Sequence, residues 1–334
     1  ARSFGGRGNL QLTTGMWFGV DSIDEAFALK KSGIKQPILI LGYIPKIRLE
    51  EAIRNGFRFA LYDINVLKDA MRIARLLKKK AFVHIKIETG TARQGITRGE
   101  ISLFARALRT HAREITPEGI YTHFADTENT ASRFYKEQMH AFKECAALFQ
   151  ELGISPPYQH MAASAAMLLY PETHGTMIRL GISLYGLYPS EQVRQHVSAQ
   201  LPLRPVLAWK ARIAQVKQVV PGSTIGYDRS FTALQSMRIA VLPVGYWDGF
   251  DRRLSSKGVV LVGGKRCSVV GRVCMNMCMV DVTGAPRVRA GDEAVLLGLQ
   301  GNSEITAEEV ALQAGTINYE VITRINPLIP RIIV

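Results

Sequence analysis

From Trp17 to about Pro189 the chain repeats one pattern: a short apolar run, a turn, then a stretch whose apolar residues recur at helical spacing. That alternation predicts βα units feeding a parallel sheet. The strand candidates are Met16 to Val20, Pro37 to Leu41, Phe57 to Leu61, Phe82 to Ile87, Gly119 to Phe124, Tyr158 to Met161 and Met177 to Ile182. Between them, Ser22 with Glu25 forms a capping box, Gly33 can stop that helix, and Asn129 to Leu152 carries a long apolar stripe. A sheet so built closes as a (β/α)8 TIM-type barrel, with functional residues at the carboxyl ends of its strands. The seven candidates leave one strand to find. Ala1 to Gly15 is glycine-rich and polar, with only Leu10-Gln11-Leu12 as an apolar segment, so the first strand is expected before residue 1.

After Pro205 the pattern changes to long β-branched runs separated by Pro-Gly, Gly-Gly and Gly-Asp turns, as in an antiparallel β domain. Those runs are Val206 to Val220, Met237 to Val244, Val259 to Val262, Ser268 to Val282, Ala294 to Leu297 and a final Ile329 to Val334. One helix, capped by Thr306 with Glu309 three residues on, interrupts them. The expected division is a barrel over residues 1–203 and a mainly antiparallel β domain over 204–334.

At 334 residues and 47% hydrophobic, the chain is long enough for each part to bury its own core. Pro37 to Leu41 and Ile239 to Val244, among the longest apolar stretches, fall far short of the roughly 20 residues that cross a bilayer. No secretory leader opens the chain, and a cytoplasmic location is expected. Cysteines stand at 145, 267, 274 and 278, too sparse for a disulfide framework. Cys274 and Cys278 lie in a strand-like run, and no histidine follows His196 to complete a zinc site, so no metal is expected. The net charge of +14 is spread over both halves. Its densest group, Arg72, Arg75, Lys78, Lys79 and Lys80, falls on a predicted helix and reads as a solvated face rather than a nucleic-acid or membrane contact.

Candidate chemistry gathers in a few segments. His84 to Gly95 ends a strand with Lys86 and places Arg93 seven residues later; a guanidinium offers a carboxylate a planar fork of donors, while Lys86 alone reads equally well as a surface charge. His123, near the end of a strand-like run, would alone more often be a satisfied core histidine. Ser164, Arg179, Gly181 and Ile182 follow the last two barrel strands, where barrels commonly bind phosphate through backbone amides. In the β domain, Tyr227 lies in Ile225 to Ala233, Tyr246 in Gly245 to Gly249 and Met275 in Gly271 to Met275; a turn is the plain alternative for Tyr246 and core packing for Met275. Tyr319 in Thr316 to Glu320 reads alternatively as a buried helix-end tyrosine.

Taken in order, these segments resemble the alanine racemase family of fold-type III pyridoxal-phosphate enzymes, from about residue 17 to the end of the chain. The resemblance implies pyridoxal 5'-phosphate as cofactor and alanine as substrate. It implies Ser164, Gly181, Ile182 and Tyr319 at the cofactor phosphate, Arg179 at its pyridine nitrogen, and Arg93 at the substrate carboxylate, held by a Lys86 that the family often carbamylates. His123 would tune Tyr227, and Tyr246 and Met275 would line the approach to the substrate. An arginine at the pyridine nitrogen leaves it unprotonated, which favours simple proton exchange over decarboxylation or transamination. Racemisation needs acid/base groups on both faces of the α-carbon. Tyr227 matches the group on one face, and in the family it comes from the partner subunit, which implies a homodimer with shared sites.

The sequence departs from the family at two places. Ala163 stands where asparagine is usual. The second base, the family's Schiff-base lysine on the first strand, has no match: the first lysine is Lys30, on a predicted surface helix, and Phe4 only weakly matches a phosphate-binding tyrosine. If these residues were all there is, an open barrel edge and a very weak or dead racemase would follow. A racemase of another amino acid, a decarboxylase, or a non-catalytic relic that binds the cofactor are the competing readings, with Arg179 arguing against the decarboxylase.

Overall fold

The computed structural model of the protein describes residues 15–285 and 287–334, which divide into two compact units. The first runs to Ser183 and includes Tyr188–Pro202. Its strands are β1 (Phe18–Val20), β2 (Ile38–Ile40), β3 (Arg58–Leu61), β4 (Ala81–Lys86), β5 (Ile115–Tyr121) and β6 (Tyr158–His160). They pair in sequence order, each parallel to the next. Helices α1 (Ile23–Lys31), α2 (Leu49–Arg54), α3 (Ile64–Leu77), α4 (Ile101–Thr110) and α5 (Phe134–Glu151) fill the crossovers, the βα order of a TIM-type barrel. Burial of Ile40, Phe59, Leu61, Ile85 and Ile120 against Leu67, Phe104, Phe142 and Phe149 joins sheet and helices in one core. The capping box is present: Ser22 Oγ accepts from Glu25 N and the Glu25 carboxylate accepts from Ser22 N. α1 ends at Lys31, two residues before Gly33, whose φ of +87° suits glycine.

Several expectations for this unit need correction. Met177 to Ile182 is not a strand: the amides of Thr176 and Met177 both donate to Gln159 O, Arg179 N donates to Ala162 O, and Gly181 N donates to a side chain, so no regular ladder forms. β5 begins four residues before Gly119 and ends at Tyr121, which puts His123 in the loop beyond it. The long helix starts at Phe134 rather than Asn129, because Asn129 Oδ1 accepts from Ala131 N and Gln192 Oε1 from Thr130 N, holding that stretch as a loop. Of the basic group, Arg72 and Arg75 lie on α3, Lys78 is its left-handed C-cap, and Lys79 and Lys80 lie past it. The readings of Phe4 and of Leu10 to Leu12 lie outside the described residues.

The second unit comprises Leu184–Leu187 and Leu203–Val334. Its strands β7 (Trp209–Arg212), β8 (Gln215–Val219), β9 (Thr224–Ile225), β10 (Phe231–Thr232), β11 (Met237–Leu242), β12 (Val259–Val262), β13 (Lys265–Ser268), β14 (Cys278–Asp281), β15 (Glu293–Gln300) and β16 (Ser303–Ile305) pair antiparallel throughout. One sheet runs β14-β11-β8 and another β13-β12-β15-β16, with β7 on β15. Thr306 Oγ1 caps the predicted helix by accepting from Glu309 N. Ile329 to Val334 is not a strand; Pro330 removes one donor, and Leu328, Ile332 and Ile333 are exposed. Cys274 lies outside β14, whereas Cys278 is in it; burial pushes the Cys278 thiol up to about 12 and the Cys267 thiol up to about 11. Among the described residues no helix is long and apolar enough to cross a membrane.

One irregularity of the barrel sheet shapes the site. Val83 pairs with Pro117 but His84 pairs with Gly119, so Glu118 is an extra residue on β5 and pairs instead with Arg58 at 2.8 Å. Gly119 then faces the His84 ring, and a Cβ there would stand 2.2 Å from Nδ1. Gly119→Ala is expected to destabilise the protein by about 1–3 kcal/mol in urea unfolding. Gly99→Ala, where a Cβ meets nothing within 4 Å, is the control and should stay within about 0.5 kcal/mol. Equal stability of the two variants would contradict this packing.

Candidate active site

Register places the site's polar residues in rows across the barrel sheet. Lys86 pairs with Tyr121, and Tyr121 with His160; one step back, His84 pairs with Gly119 and Gly119 with Tyr158. Because side chains alternate, His84 and Lys86 share a face, as do Tyr158 and His160. Each row stacks its rings. Tyr121 and His160 are 4.6 Å apart and 4° from parallel, and His84 and Tyr158 are 6.4 Å apart and 8° from parallel. The sheet thus carries a buried polar surface above its apolar core.

Arg179 fastens this surface. Nη1 donates to His160 Nδ1 (2.8 Å) and to its carbonyl (3.1 Å); Nη2 donates to the carbonyls of Thr122 and Met161 (both 2.9 Å) and to His123 Nδ1 (3.3 Å). A guanidinium only donates, so both histidines must accept at Nδ1 and carry their proton on Nε2. His160 Nε2 therefore donates to His84 Nδ1, 2.8 Å away, which in turn puts the His84 proton on Nε2, a buried atom with no partner. The three imidazoles are held neutral. Burial, then neighbouring Arg58 and Arg179, pushes His84 down to about 3. Burial, Arg179, Arg93 and Lys86 bring His123 to about 4, and burial with Arg179 lowers His160 strongly. Burial lowers Arg179 itself to about 10, still a cation at neutral pH.

Lys86, at the end of β4, is 4% exposed, and its Nζ donates to Gln94 Oε1 at 3.1 Å. Burial, with Arg93 and Arg179 nearby, brings its amine down to about 8. Arg93 itself is exposed on the loop that follows. That loop is braced by Gln138 on α5, fully buried, whose Oε1 accepts from Ala125 N while Nε2 donates to Thr89 Oγ1 and His123 O. Thr122 Oγ1 donates to Ile87 O, so the 2.6 Å contact with Thr89 runs from Thr89 to Thr122. The loops bearing Arg93 and His123 are thereby tied together.

Beyond β6, Ser164 opens the short helix α6 (Ser164–Leu169), and its Oγ accepts from Gly181 N (3.0 Å) and Ser183 N (3.4 Å). Ala163, at the N-cap, supplies no side-chain acceptor to the first turn. Ser183 Oγ is buried without a partner. Unsatisfied donors of this kind suit an anion, so the residues present fit a phosphate-bearing cofactor. Gly181 and Ile182 lie in the same turn, Ile182 buried and Gly181 exposed.

In the second unit three distant segments meet at one rim. Tyr246 N donates to Cys274 O and Trp247 N to Met275 O, and a Cβ on Gly245 would stand 2.2 Å from Cys274 O. Gly226, at φ +81°, packs on Gly271 and Arg272, and Asp228 pairs with Arg272 at 2.8 Å. Tyr227, Tyr246 and Met275 are thus carried on loops that converge, all exposed, Tyr227 by 68%. A cavity of about 340 Å³ lined by Tyr246, Gly249, Asp251, Arg252 and Arg324 adjoins them. Tyr319 is half-buried on the helix Asn318–Thr323, and Arg324, the residue after that helix, lines the cavity.

Sequence reasoning passed over His84, Gln94, Tyr121, Gln138, His160 and Ser183. The signal for two of them was present: His84 and Lys86, like Tyr158 and His160, stand two apart in strand-like runs, a polar face where a buried parallel strand should be apolar on both sides. Gln138 and Ser183 left none, since their partners come from remote segments.

Residues 10–189 match the family model described as alanine racemase, N-terminal domain, and residues 206–333 match alanine racemase, C-terminal domain. The chain is 41% identical over 317 residues to the alanine racemase of Carboxydothermus hydrogenoformans, covering 95% of this chain and 85% of that protein. It is similar to the crystal structure of alanine racemase from the D-cycloserine-producing Streptomyces lavendulae, with a TM-score of 0.89 and 32% identity over 95% of this chain and 82% of that one. It also resembles the alanine racemase of Bartonella henselae with covalently bound pyridoxal phosphate, with a TM-score of 0.82 and 25% identity over 95% of this chain and 84% of that one.

The neutral histidines have a consequence for stability. Their folded pKa values lie below the unfolded one near 6.5, so between about pH 6.5 and 4 the unfolded chain binds more protons. The stabilisation is complete above pH 6.5 and is lost as pH falls. Each histidine adds a slope of up to about 1.4 kcal/mol per pH unit. Urea unfolding at stepped pH is expected to show that decline, and a flat profile from pH 6.5 to 4.5 would contradict the assignment.

Proposed function

The chain belongs to the alanine racemase family and is a pyridoxal-phosphate-dependent amino-acid racemase, and from that premise we propose that it interconverts L-alanine and D-alanine. The observation that carries the reading is Arg179, a part-buried arginine whose described hydrogen bonds all use Nη1 and Nη2, which leaves Nε–H for the cofactor's pyridine nitrogen. Pyridoxal phosphate, when bound, supplies the electron sink that acidifies the substrate's α-C–H. A cation that keeps its own proton cannot hand one to the pyridine nitrogen, which tempers that sink toward proton exchange alone. Ser164, Gly181, Ile182 and Tyr319 hold the phosphate, aided by the unpartnered Ser183 hydroxyl.

On the substrate side, Arg93 binds the carboxylate, and Lys86, neutral in a useful fraction near pH 8, takes the carbamate that supports it. His123, with Nδ1 on Arg179, presents Nε2–H as a donor to the phenolic oxygen of Tyr227. Tyr227 moves the proton on one face of the α-carbon, and Tyr246 and Met275 shape the approach. In this reading Tyr227, Tyr246 and Met275 come from the partner subunit, so the enzyme is a homodimer with shared sites, its barrel at 1–203 and its β domain at 204–334. It works in the cytoplasm, with neither nucleic acid nor membrane as partner, and feeds D-alanine to peptidoglycan synthesis.

No lysine within residues 1–334 matches the family's base for the opposite face, so these residues by themselves are expected to turn over weakly. The test is conversion of L- to D-alanine with excess pyridoxal phosphate, for residues 1–334 and for the same chain extended by a lysine-bearing first strand. The extension should raise turnover by about 10²- to 10⁴-fold, and Tyr227→Phe in the extended protein should lower it by at least about 10²-fold. Absence of racemisation from the folded, extended protein would overturn the proposal.

A further inference from the structure

We propose that Gln94 is the positioning residue that lets Lys86 pass between amine and carbamate, by turning its carboxamide from hydrogen-bond acceptor to donor. The inference rests on the reading of Lys86 as the carbamylated lysine, and names the group that controls that state. Lys86 stands in a poor place for an ammonium. It is 4% exposed, with Arg93 and Arg179 as close cations, and its described hydrogen bond goes to a neutral carboxamide rather than a carboxylate. The Tyr121 ring face, 5.7 Å from Nζ, is its other cover.

The register explains why Gln94 and Tyr62 meet there. Leu61 pairs with Ile85, so Tyr62, the next residue, lies level with Lys86 at the end of β3. Gln94 comes back to the same place because Ile96 N donates to Lys86 O and Glu88 N to Ile96 O, closing residues 87–96 into a loop whose end runs parallel to its start at the Ile87–Ile96 bridge. Gly95, at φ +151°, lets that return run close: a Cβ there would stand 2.4 Å from Glu88 N. The Gln94 carboxamide thus accepts from Lys86 Nζ at 3.1 Å.

A carboxamide carries an acceptor and a donor. With Lys86 as the amine, Nζ–H donates to Gln94 Oε1. Carbamylation joins the neutral amine's lone pair to the carbon of dissolved carbon dioxide; one C=O π pair moves onto oxygen, and the amine's proton leaves to water. Nζ then bears a carboxylate between two guanidinium groups. A turn of the Gln94 amide lets Nε2–H donate to that carboxylate, and the carbamate's remaining oxygen is left for Arg93.

The test is a 13C NMR titration of the chain loaded with pyridoxal phosphate under labelled carbon dioxide, following the carbamate carbonyl. Lys86→Gln should abolish the signal. Gln94→Glu, of nearly equal size but an acceptor only, should raise the half-saturating carbon dioxide concentration by about tenfold or more, since it pairs with the ammonium and repels the carbamate. Gln94→Leu, which serves neither state, should give a smaller rise. The cofactor's absorbance on the same samples reports binding, so a failure here is distinguishable from a failure of the functional reading. Titration of Gln94→Glu at the wild-type midpoint, a signal that persists in Lys86→Gln, or no signal in the wild type overturns the inference.

Discussion

The barrel unit depends on one part-buried cation. Arg179 donates to carbonyls at the ends of β5 and β6 and to two histidine rings, so it closes the space between strands and sets the proton positions of the imidazoles it touches. A charge so enclosed is costly unless its donors are matched, and here the acceptors are carbonyl oxygens and neutral ring nitrogens rather than a carboxylate. The site therefore keeps its positive potential. Together with burial, which is the larger cause, that potential lowers His123, His160 and Lys86, and it is the environment an anionic cofactor and a substrate carboxylate require.

The sheet register is what lets a single arginine do this. Tyr62, Lys86, Tyr121 and His160 lie level across neighbouring strands, and a slip of one residue would send all of them into the apolar core. The extra residue at Glu118 and the bare Gly119 make room for the His84 ring in the second row. In the β unit a comparable economy holds: Gly226, Gly245 and Gly271 stand where a Cβ would strike backbone, so three loops approach closely enough to carry Tyr227, Tyr246 and Met275 on one rim.

Much of this was legible in the sequence. The βα alternation and the change to antiparallel runs near residue 205 follow from hydrophobic periodicity, and Ser22 and Thr306 announced their caps. Six of the seven barrel strand candidates are strands, with shifts in their ends. Met177 to Ile182 failed because an apolar, β-branched stretch says nothing about where its amides will donate, and these donate to Gln159, Ala162 and Ser164. Ile329 to Val334 failed for want of a neighbouring strand. At the site, the chemistry-bearing segments were visible as segments, and their family resemblance named Arg93, His123 and Arg179. The residues that hold those groups in place were not, because Gln138 and Gln94 act through partners that only the fold brings near.

Arg179 fixes the neutral Nε2–H tautomer at His123 and His160, and through His160 at His84. Long-range 15N–1H NMR of histidine-labelled protein at neutral pH reads each ring's protonation directly. The account predicts three neutral rings, each protonated on Nε2 with Nδ1 bare. A proton on Nδ1 of His160, or an imidazolium at His84, would contradict it.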